Sequence, residues 1–500
     1  MLIEATISLI ESVRPDVSAG LKPLRRSAMG QFMTPASVAR YMASLFYIPE
    51  NGHIRLLDPG AGLGALSAAF VQSWQKRPKS KSVLEVTAYE LDDDLRKLLE
   101  AHLDACRASV AVSKRELVVR ILPHDFIEVA ANPLEFGVRP IFTHALLNPP
   151  YKKISSDSKH RKWLRECGIE TVNLYSAFVA LSMQMLNKDG ELVAIIPRSF
   201  CNGPYYKSFR KFILQVASLD HIHLFGSRDK AFKDDEVLQE NVIIKLVRGK
   251  TQGVVTVSHC TDGTFSDYRE SVCEFGEIVK GDDPEQFIHI PESVESASII
   301  AANHFRHTLT DLGLEISTGP VVDFRLKSHL RKAPEMGTVP LLYPCHVANS
   351  RVSWPLEKSK KANALVLDDE SRRWLYPAGC YTVVKRFSAK EEKRRVMATV
   401  VRPDDLGNCQ QIAFENHLNV FHVNKKGIPE ELACGLCAYL NSTMVDRDFR
   451  AFNGHTQVNA ADLRMLKYPD RKVLVKLGRW LKQAGEVTQA QIDSHVRELL

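Results

Sequence analysis

The chain lacks any apolar run approaching the ~20 residues that a bilayer-spanning helix needs. It also shows no basic-then-apolar leader of the secretory kind. A membrane partner is not expected. Its ten cysteines are scattered. Only Cys434 and Cys437 stand close together, inside the small apolar run Leu432 to Leu440, and no second pair accompanies them. That spacing reads as a packed helix face rather than a zinc or redox site, so no metal is expected. A reduced cytoplasmic setting follows. Internal repeats and low-complexity tracts are missing too, which excludes solenoids and linker-like chains. Neither sign of charge dominates: 66 Lys and Arg against 59 Asp and Glu leave +7. That balance suits a polyanion partner without identifying one. At 500 residues the chain has room for two or three domains.

What is present is organised around Leu146-Leu147-Asn148-Pro149-Pro150-Tyr151. The apolar run from Ile141 to Leu147 reads as a strand. Two prolines then fix φ and remove two donors, so the chain leaves the sheet in a stiff extended path. Carbonyls without neighbouring N–H groups, the Asn148 side-chain oxygen and an aromatic face lie together there. Such a cluster suits a planar base carrying an exocyclic amino group.

Upstream, Gly30-Gln31-Phe32-Met33-Thr34-Pro35 places Thr34 as a helix N-cap and Pro35 as the first helical residue. A capped helix N-terminus of this kind can hold a carboxylate. A strand from Ile54 to Leu57 leads into Asp58-Pro59-Gly60-Ala61-Gly62-Leu63-Gly64, and a helix from about Ala65 to Gln75 follows. Strand, glycine loop and helix form the nucleotide-binding layout, although the spacing is not that of a dinucleotide loop. A second strand, Val83 to Tyr89, ends in Glu90, which can accept from both ribose hydroxyls of an adenosine. Asp92 to Asp94 start the next helix as N-terminal acids. A third strand, Leu117 to Leu122, ends in His124-Asp125-Phe126. Asp125 can accept from an adenine amino group, and Phe126 can pack on the ring.

The βα alternation continues through Glu191–Ile196 to a final pair, Ile222–Phe225 and Glu240–Val247. This predicts an α/β fold: a doubly wound, mostly parallel Rossmann-like sheet with an antiparallel hairpin at its end. Near residue 250 the texture changes, and Gly249-Lys250-Thr251-Gln252-Gly253 reads as a linker. The expected division is 1–248 for a catalytic domain and 249–500 for a mixed α+β second domain. In the latter, Lys385, Arg386, Lys390, Lys393, Arg394 and Arg395 cluster around Phe387. Tyr343, Trp354, Trp374, Tyr376 and Tyr381 read as aromatic surface. The polar loop Asn453-Gly454-His455-Thr456-Gln457-Val458-Asn459 completes a set suited to phosphate anchoring and base-edge readout.

Together these motifs resemble the S-adenosylmethionine-dependent DNA adenine-N6 methyltransferases of the gamma, TaqI-like arrangement. The likeness is strong from residue 30 to about 247. Lys385-Arg386-Phe387-Ser388 and Gly454-His455-Thr456-Gln457-Val458 are similar to stretches of the type II restriction-modification subgroup around the PstI and BsuBI enzymes. The resemblance implies S-adenosylmethionine as methyl donor and no metal. It implies a cofactor site of Thr34, Asp58, Gly60, Gly62, Gly64, Glu90, Asp125 and Phe126. Asn148, Pro149, Pro150 and Tyr151 would be catalytic, with Phe232 facing Tyr151 across a flipped base. Lys385, Arg386, His455, Thr456 and Gln457 would contact double-stranded DNA within a target-recognition domain. It further implies a monomer in a prokaryotic cytoplasm, paired functionally with a separate restriction endonuclease. Two alternatives use the same motifs: a modification subunit of a type I system, and an NPPY enzyme acting on RNA or a protein glutamine.

Overall fold

A computed structural model describes residues 2–20, 33–77, 82–112, 115–132, 142–226, 240–291, 305–348, 351–388, 392–453 and 457–499. The chain divides into two compact units, Met1–Ala297 and Ser298–Leu500.

The first unit is built on a nine-stranded, mostly parallel sheet in a mixed α/β fold. Two helices, α1 (Leu2–Gly20) and α2 (Ala36–Ser44), come first. Then follow β1 (His53–Pro59), α3 (Ala65–Gln75), β2 (Val83–Tyr89), α4 (Asp93–Val112), β3 (Leu117–Leu122) and α5 (Phe126–Ala131). Next are β4 (Phe142–Leu147), α6 (Lys159–Glu166), α7 (Leu174–Met185), β5 (Leu186–Pro197) and α8 (Lys207–Val216). The unit's sheet ends with β6 (Ala217–Phe225), β7 (Asn241–Arg248), β8 (Val254–Cys260) and β9 (Arg269–Glu274). The order across the sheet is β3-β2-β1-β4-β5-β7-β6-β8-β9. Strands β1, β2 and β4 are almost continuously buried because helices cover both faces. The hairpin strand β7 runs antiparallel to both β5 and β6.

The sheet does not stop at that hairpin, so the boundary read at 248/249 moves to 297/298. Gly249 to Gly253 is a turn rather than a linker. After it, β8 pairs parallel with β6, from His221↔Thr256 to Phe225↔Cys260, and β9 pairs antiparallel with β8. Strand β6 needs a partner on its free edge, and β8 brings the buried Val255 and Val257 to it. No helix precedes β8, so the βα rhythm ends before the sheet does.

The second unit has a mixed α+β composition. Its four-stranded sheet orders Glu315–Thr318, Leu418–His422, Tyr381–Lys385 and Ala398–Val401. A five-stranded sheet orders Leu330–Arg331, Ala364–Val366, Thr338–Leu342, Gln411–Phe414 and Leu375–Pro377. Tyr343, Tyr376 and Tyr381, read above as surface, are all buried in its apolar clusters. Leu375 and Tyr376, and likewise Tyr381 to Val384, are buried without alternation, so these strands show no solvent face there. Helices α9 (Glu430–Leu440) and α12 (Arg471–Ala484) cross tightly at Gly435 and Gly478; α10 (Thr443–Phe452) and α11 (Ala460–Met465) lie between them in sequence, and α13 (Gln489–Glu498) follows. Cys434 and Cys437 are buried on α9, as the apolar run implied.

Candidate active site

Strands β1 and β4 are neighbours, but the chain continues from β1 toward β2 and from β4 toward β5. Their carboxyl ends therefore flank a crevice that the connections leave open. The glycine loop lies at one side of it. Gly60, Gly62 and Gly64 all have positive φ, at 88°, 55° and 82°. Gly64 is the N-cap of α3, and a Cβ there would stand 2.7 Å from Leu99 Cδ1. Only glycine meets both constraints.

Glu90 fixes this loop from the next strand. Its Oε2 accepts from the Gly62 N–H at 2.8 Å, and its Oε1 accepts from the Asp92 N–H at 2.9 Å. Burial raises its pKa, and the backbone donors partly offset that. Asp92 caps α4 by accepting from the Asp94 and Leu95 N–H groups, as the run of acids suggested.

Asp125 caps the short helix α5: its Oδ1 accepts from the Ile127 N–H at 2.8 Å. Its Oδ2 is bound to His160 Nε2 at 2.8 Å. Burial would raise the Asp125 pKa, but the hydrogen bond and charge of His160 outweigh it and hold the carboxyl below its ordinary value. The same hydrogen bond raises His160. Phe126 is buried beside them, with its ring 5.3 Å from Tyr89 and 5.1 Å from Phe178.

Across the crevice, the Asn148 amide leaves the end of β4. Its Nδ2 donates to Thr34 Oγ1 at 2.9 Å. The Tyr151 hydroxyl donates to Asn148 Oδ1 at 3.2 Å and to the Ile195 carbonyl at 3.1 Å. Tyr151 also stands edge-on to Tyr175, at 6.2 Å between centroids. Thr34 is thus not the cap of α2, contrary to the expectation. Pro35 occupies the N-cap position without a side-chain bond, and the Ala36 N–H donates instead to Glu11 Oε2 on α1 at 2.8 Å. The hydroxyl has turned to the amide because a carboxylate from another helix performs the capping.

These groups share one cavity of about 250 Å³. Thr34, Gly60, Gly62, Glu90, Asp125, Phe126, Asn148 and Pro150 line it, with Ile10 and Arg14 of α1 and His160 of α6. Asp58, Gly64, Pro149 and Tyr151 lie beside or near lining residues in sequence but are not among them. The Asp58 carboxyl is buried under the loop, where its Oδ2 accepts from Ser67 Oγ at 2.5 Å and its Oδ1 has no partner among the described residues. Burial and then the charge of Glu90 push its pKa from 3.8 up to about 7, against the Ser67 bond. The folded chain therefore keeps a proton that the unfolded chain releases near pH 4. The contribution of Asp58 to stability is expected to fall as pH rises from about 4 to about 7. Asp58→Asn should flatten that interval, read as urea midpoints against pH. An unchanged slope would place the proton elsewhere.

In the second unit, Arg386 Nη2 donates to Gln457 Oε1 at 3.4 Å, and Phe387 forms a β-bridge with Gln457. Phe387 is 45% exposed and packs 5.0 Å from the His417 ring. His417 Nδ1 is held at 2.5 Å by the buried Glu415 carboxylate. Lys385 ends the neighbouring strand and is partly exposed. Two members of the predicted basic cluster turn inward instead. Arg395 is 1% exposed and bonds Ser388 and Asn453, and Arg394 donates to the Ser442 carbonyl. A buried guanidinium satisfies several carbonyls at once, which makes it a tie between loops. Gly30 to Phe32, Phe232, Lys390, His455 and Thr456 lie outside the described residues.

His160, Arg14, Glu11 and His417 were not singled out from sequence. Glu11 and Arg14 carried one local signal, the i,i+3 pairing on an amphipathic helix. His160 carried none, because its partner Asp125 comes from a distant segment; His417 pairs with Glu415 only two residues before it, a spacing that marks no motif.

Residues 134–232 match the Eco57I restriction-modification methylase family. The chain is 48% identical to Type II methyltransferase M.BsuBI of Bacillus subtilis, over 99% of this chain and 98% of that protein. It is 41% identical to Type II methyltransferase M.PstI of Providencia stuartii, over 98% and 97% of the two chains. Among solved structures, the Type IIL restriction-modification enzyme MmeI in complex with DNA shares the fold. Its TM-score is 0.53 at 11% identity, over 99% of this chain and 73% of that one.

Proposed function

The chain belongs to the type II DNA methyltransferases of restriction-modification systems, and from that premise we propose that it methylates N6 of an adenine flipped out of double-stranded DNA. The donor is S-adenosylmethionine. The observation that carries this reading is the shared cavity: Asn148 opens onto the same space as Gly62, Glu90 and Asp125.

The residues fit that cofactor. Glu90 and Asp125 would hold the ribose hydroxyls and the adenine amino group, and Phe126 would flank the ring. The positive-φ glycines let backbone approach the ligand closely. When bound, the cofactor supplies a methyl group activated on a sulfonium.

An adenine amino group is a poor nucleophile, because its lone pair is delocalised into the ring. The Asn148 Oδ1 and the Pro149 carbonyl accept its two N–H bonds, which favours a pyramidal nitrogen. They also stabilise the positive charge that develops there, an oxyanion hole with the sign reversed. Thr34 fixes the amide orientation by taking Nδ2, so the oxygen is the atom presented. Tyr151 has a second acceptor in the Ile195 carbonyl, so its hydroxyl stays satisfied when the substrate amine claims Oδ1. The proton leaves to water after transfer, since an ammonium on a ring-conjugated nitrogen is strongly acidic and needs no strong base. Flipping costs a few kcal/mol, and stacking on the Tyr151 ring returns about 1–3 kcal/mol.

In the second unit, Arg386, Gln457, Phe387 and His417 are the candidate reading surface. A guanidinium and an amide can each address a base edge, and an exposed ring can stack. A separate endonuclease is the expected functional partner. The test is methylation-aware sequencing of DNA from cells that express the protein. N6-methyladenine at one recurring DNA word is the expected result. Methylation of another base, or none, would overturn the reading.

A further inference from the structure

The basic residues among the described lining of the cofactor cavity are Arg14, His124, Lys152 and His160. They are not equivalent. His124 and Lys152 are exposed at the mouth, and His160 is engaged by Asp125. Arg14 is 5% exposed, on an N-terminal helix that also buries Ile3, Ile7 and Ile10. Its Nη2 pairs with Glu11 Oε1 at 2.9 Å. Burying a guanidinium is costly unless charge partners repay it. The Glu11 carboxylate that offsets part of this cost is itself partly exposed.

Its place in the cavity is set by a short chain of contacts. Glu11 uses its second oxygen to accept from the Ala36 N–H. Ala36 follows Thr34 and Pro35, and Thr34 holds Asn148. Arg14 is therefore tied to the Asn148 end. Asp125 follows β3 and Asn148 follows β4, with β2 and β1 between them. At ~4.8 Å per strand those two ends stand on the order of 14 Å apart. A cofactor with its nucleoside held by Glu90 and Asp125, and its sulfonium facing Asn148, must place its amino-acid part beyond the sulfonium.

That part carries a carboxylate. At the α2 N-terminus, which the sequence offered for a carboxylate, the Ala36 N–H is already taken by Glu11. We propose that Arg14 binds the α-carboxylate of the methionine moiety, with Glu11 positioning its planar fork. A guanidinium meets a carboxylate through two parallel hydrogen bonds, a match no lysine ammonium reproduces. The inference rests on the cofactor reading above and adds the residue that distinguishes the intact amino acid from its truncated forms.

The test compares two ligands by calorimetry on the full chain without DNA: S-adenosylmethionine and its decarboxylated form, which lacks only the carboxylate. Wild type should prefer the intact cofactor by about ten- to a hundredfold. Arg14→Met should bring the two affinities within about threefold, by weakening the intact cofactor alone. Arg14→Lys should recover part of the preference, and supplies the same ratio if the methionine variant does not fold. Lys152→Met should retain the full preference. An unchanged ratio in the Arg14 variants, or a ratio abolished by Lys152→Met instead, overturns the assignment to Arg14. Failure of wild type to bind either ligand overturns the cofactor reading and this inference with it.

Discussion

Asn148→Ala is expected to lower kcat by at least about a hundredfold while cofactor and DNA affinities stay within a few-fold of the parent. The asymmetry follows from where the amide acts. Its oxygen acquires its main partner when the nitrogen of the substrate gains positive charge, so its loss falls on the transition state rather than on binding. The variant leaves no charge stranded. Thr34 loses a donor to its hydroxyl, and Tyr151 keeps the Ile195 carbonyl. The methylene and amide removed are small beside the walls made by Glu90, Asp125 and Phe126, which do the cofactor holding in this reading. Single-turnover methylation beside equilibrium binding separates the two effects. Parental rates in this variant would remove the proposed chemistry, and a collapse of cofactor affinity would recast Asn148 as a structural residue of the cavity.

Gly478→Ala should destabilise the second unit by about 3 kcal/mol or more. Helix propensity alone predicts the opposite, since alanine gains about 1 kcal/mol over glycine inside a helix. The packing decides the sign. A Cβ on Gly478 would stand 1.7 Å from the Glu431 carbonyl oxygen, and one on Gly435 would stand 1.8 Å from the Leu474 carbonyl oxygen. These neighbours are backbone, so no side-chain rotation relieves the overlap. Separating α9 from α12 would also open the contacts around the buried Leu432, Leu436, Leu474 and Leu477. Thermal unfolding should show an early transition, with sequence-specific DNA binding lost. Calorimetric binding of S-adenosylmethionine should persist if the cofactor is held by the first unit alone. An unaltered melting profile would refute the close crossing, and loss of cofactor binding would refute the division of labour.

Local pattern made much of the first unit readable in advance. Strands Val83–Tyr89 and Leu117–Leu122 and helix Ala65–Gln75 occupy the spans that periodicity indicated. Each is bounded by its own chemistry, a glycine, an acid or a change of period. Asn148, Glu90, Asp125 and the glycines were legible because a strand end followed by a special residue is a local statement. Their convergence followed from the topology of alternating βα units, which brings successive carboxyl ends to one edge.

What could not be read locally depends on which distant segments meet. The β8–β9 extension is decided by an open edge on β6, more than thirty positions earlier in the chain. Thr34 looked like a cap because capping residues are recognised by neighbours, yet Glu11 of another helix took the role and left the hydroxyl to Asn148. Asp125 looked free to receive a ligand, and His160 holds one of its oxygens. The charged run from Lys385 to Arg395 looked like one surface, but Arg395 is buried against Asn453. The sequence by itself determined the Asn148–Tyr151 strand exit, the glycine loop and the βα order, because backbone preference and periodicity act over a few residues. Tertiary structure alone decided which hydroxyl, carboxylate and guanidinium partner those motifs, because a side chain's hydrogen-bond partners are selected by packing between elements remote in the chain.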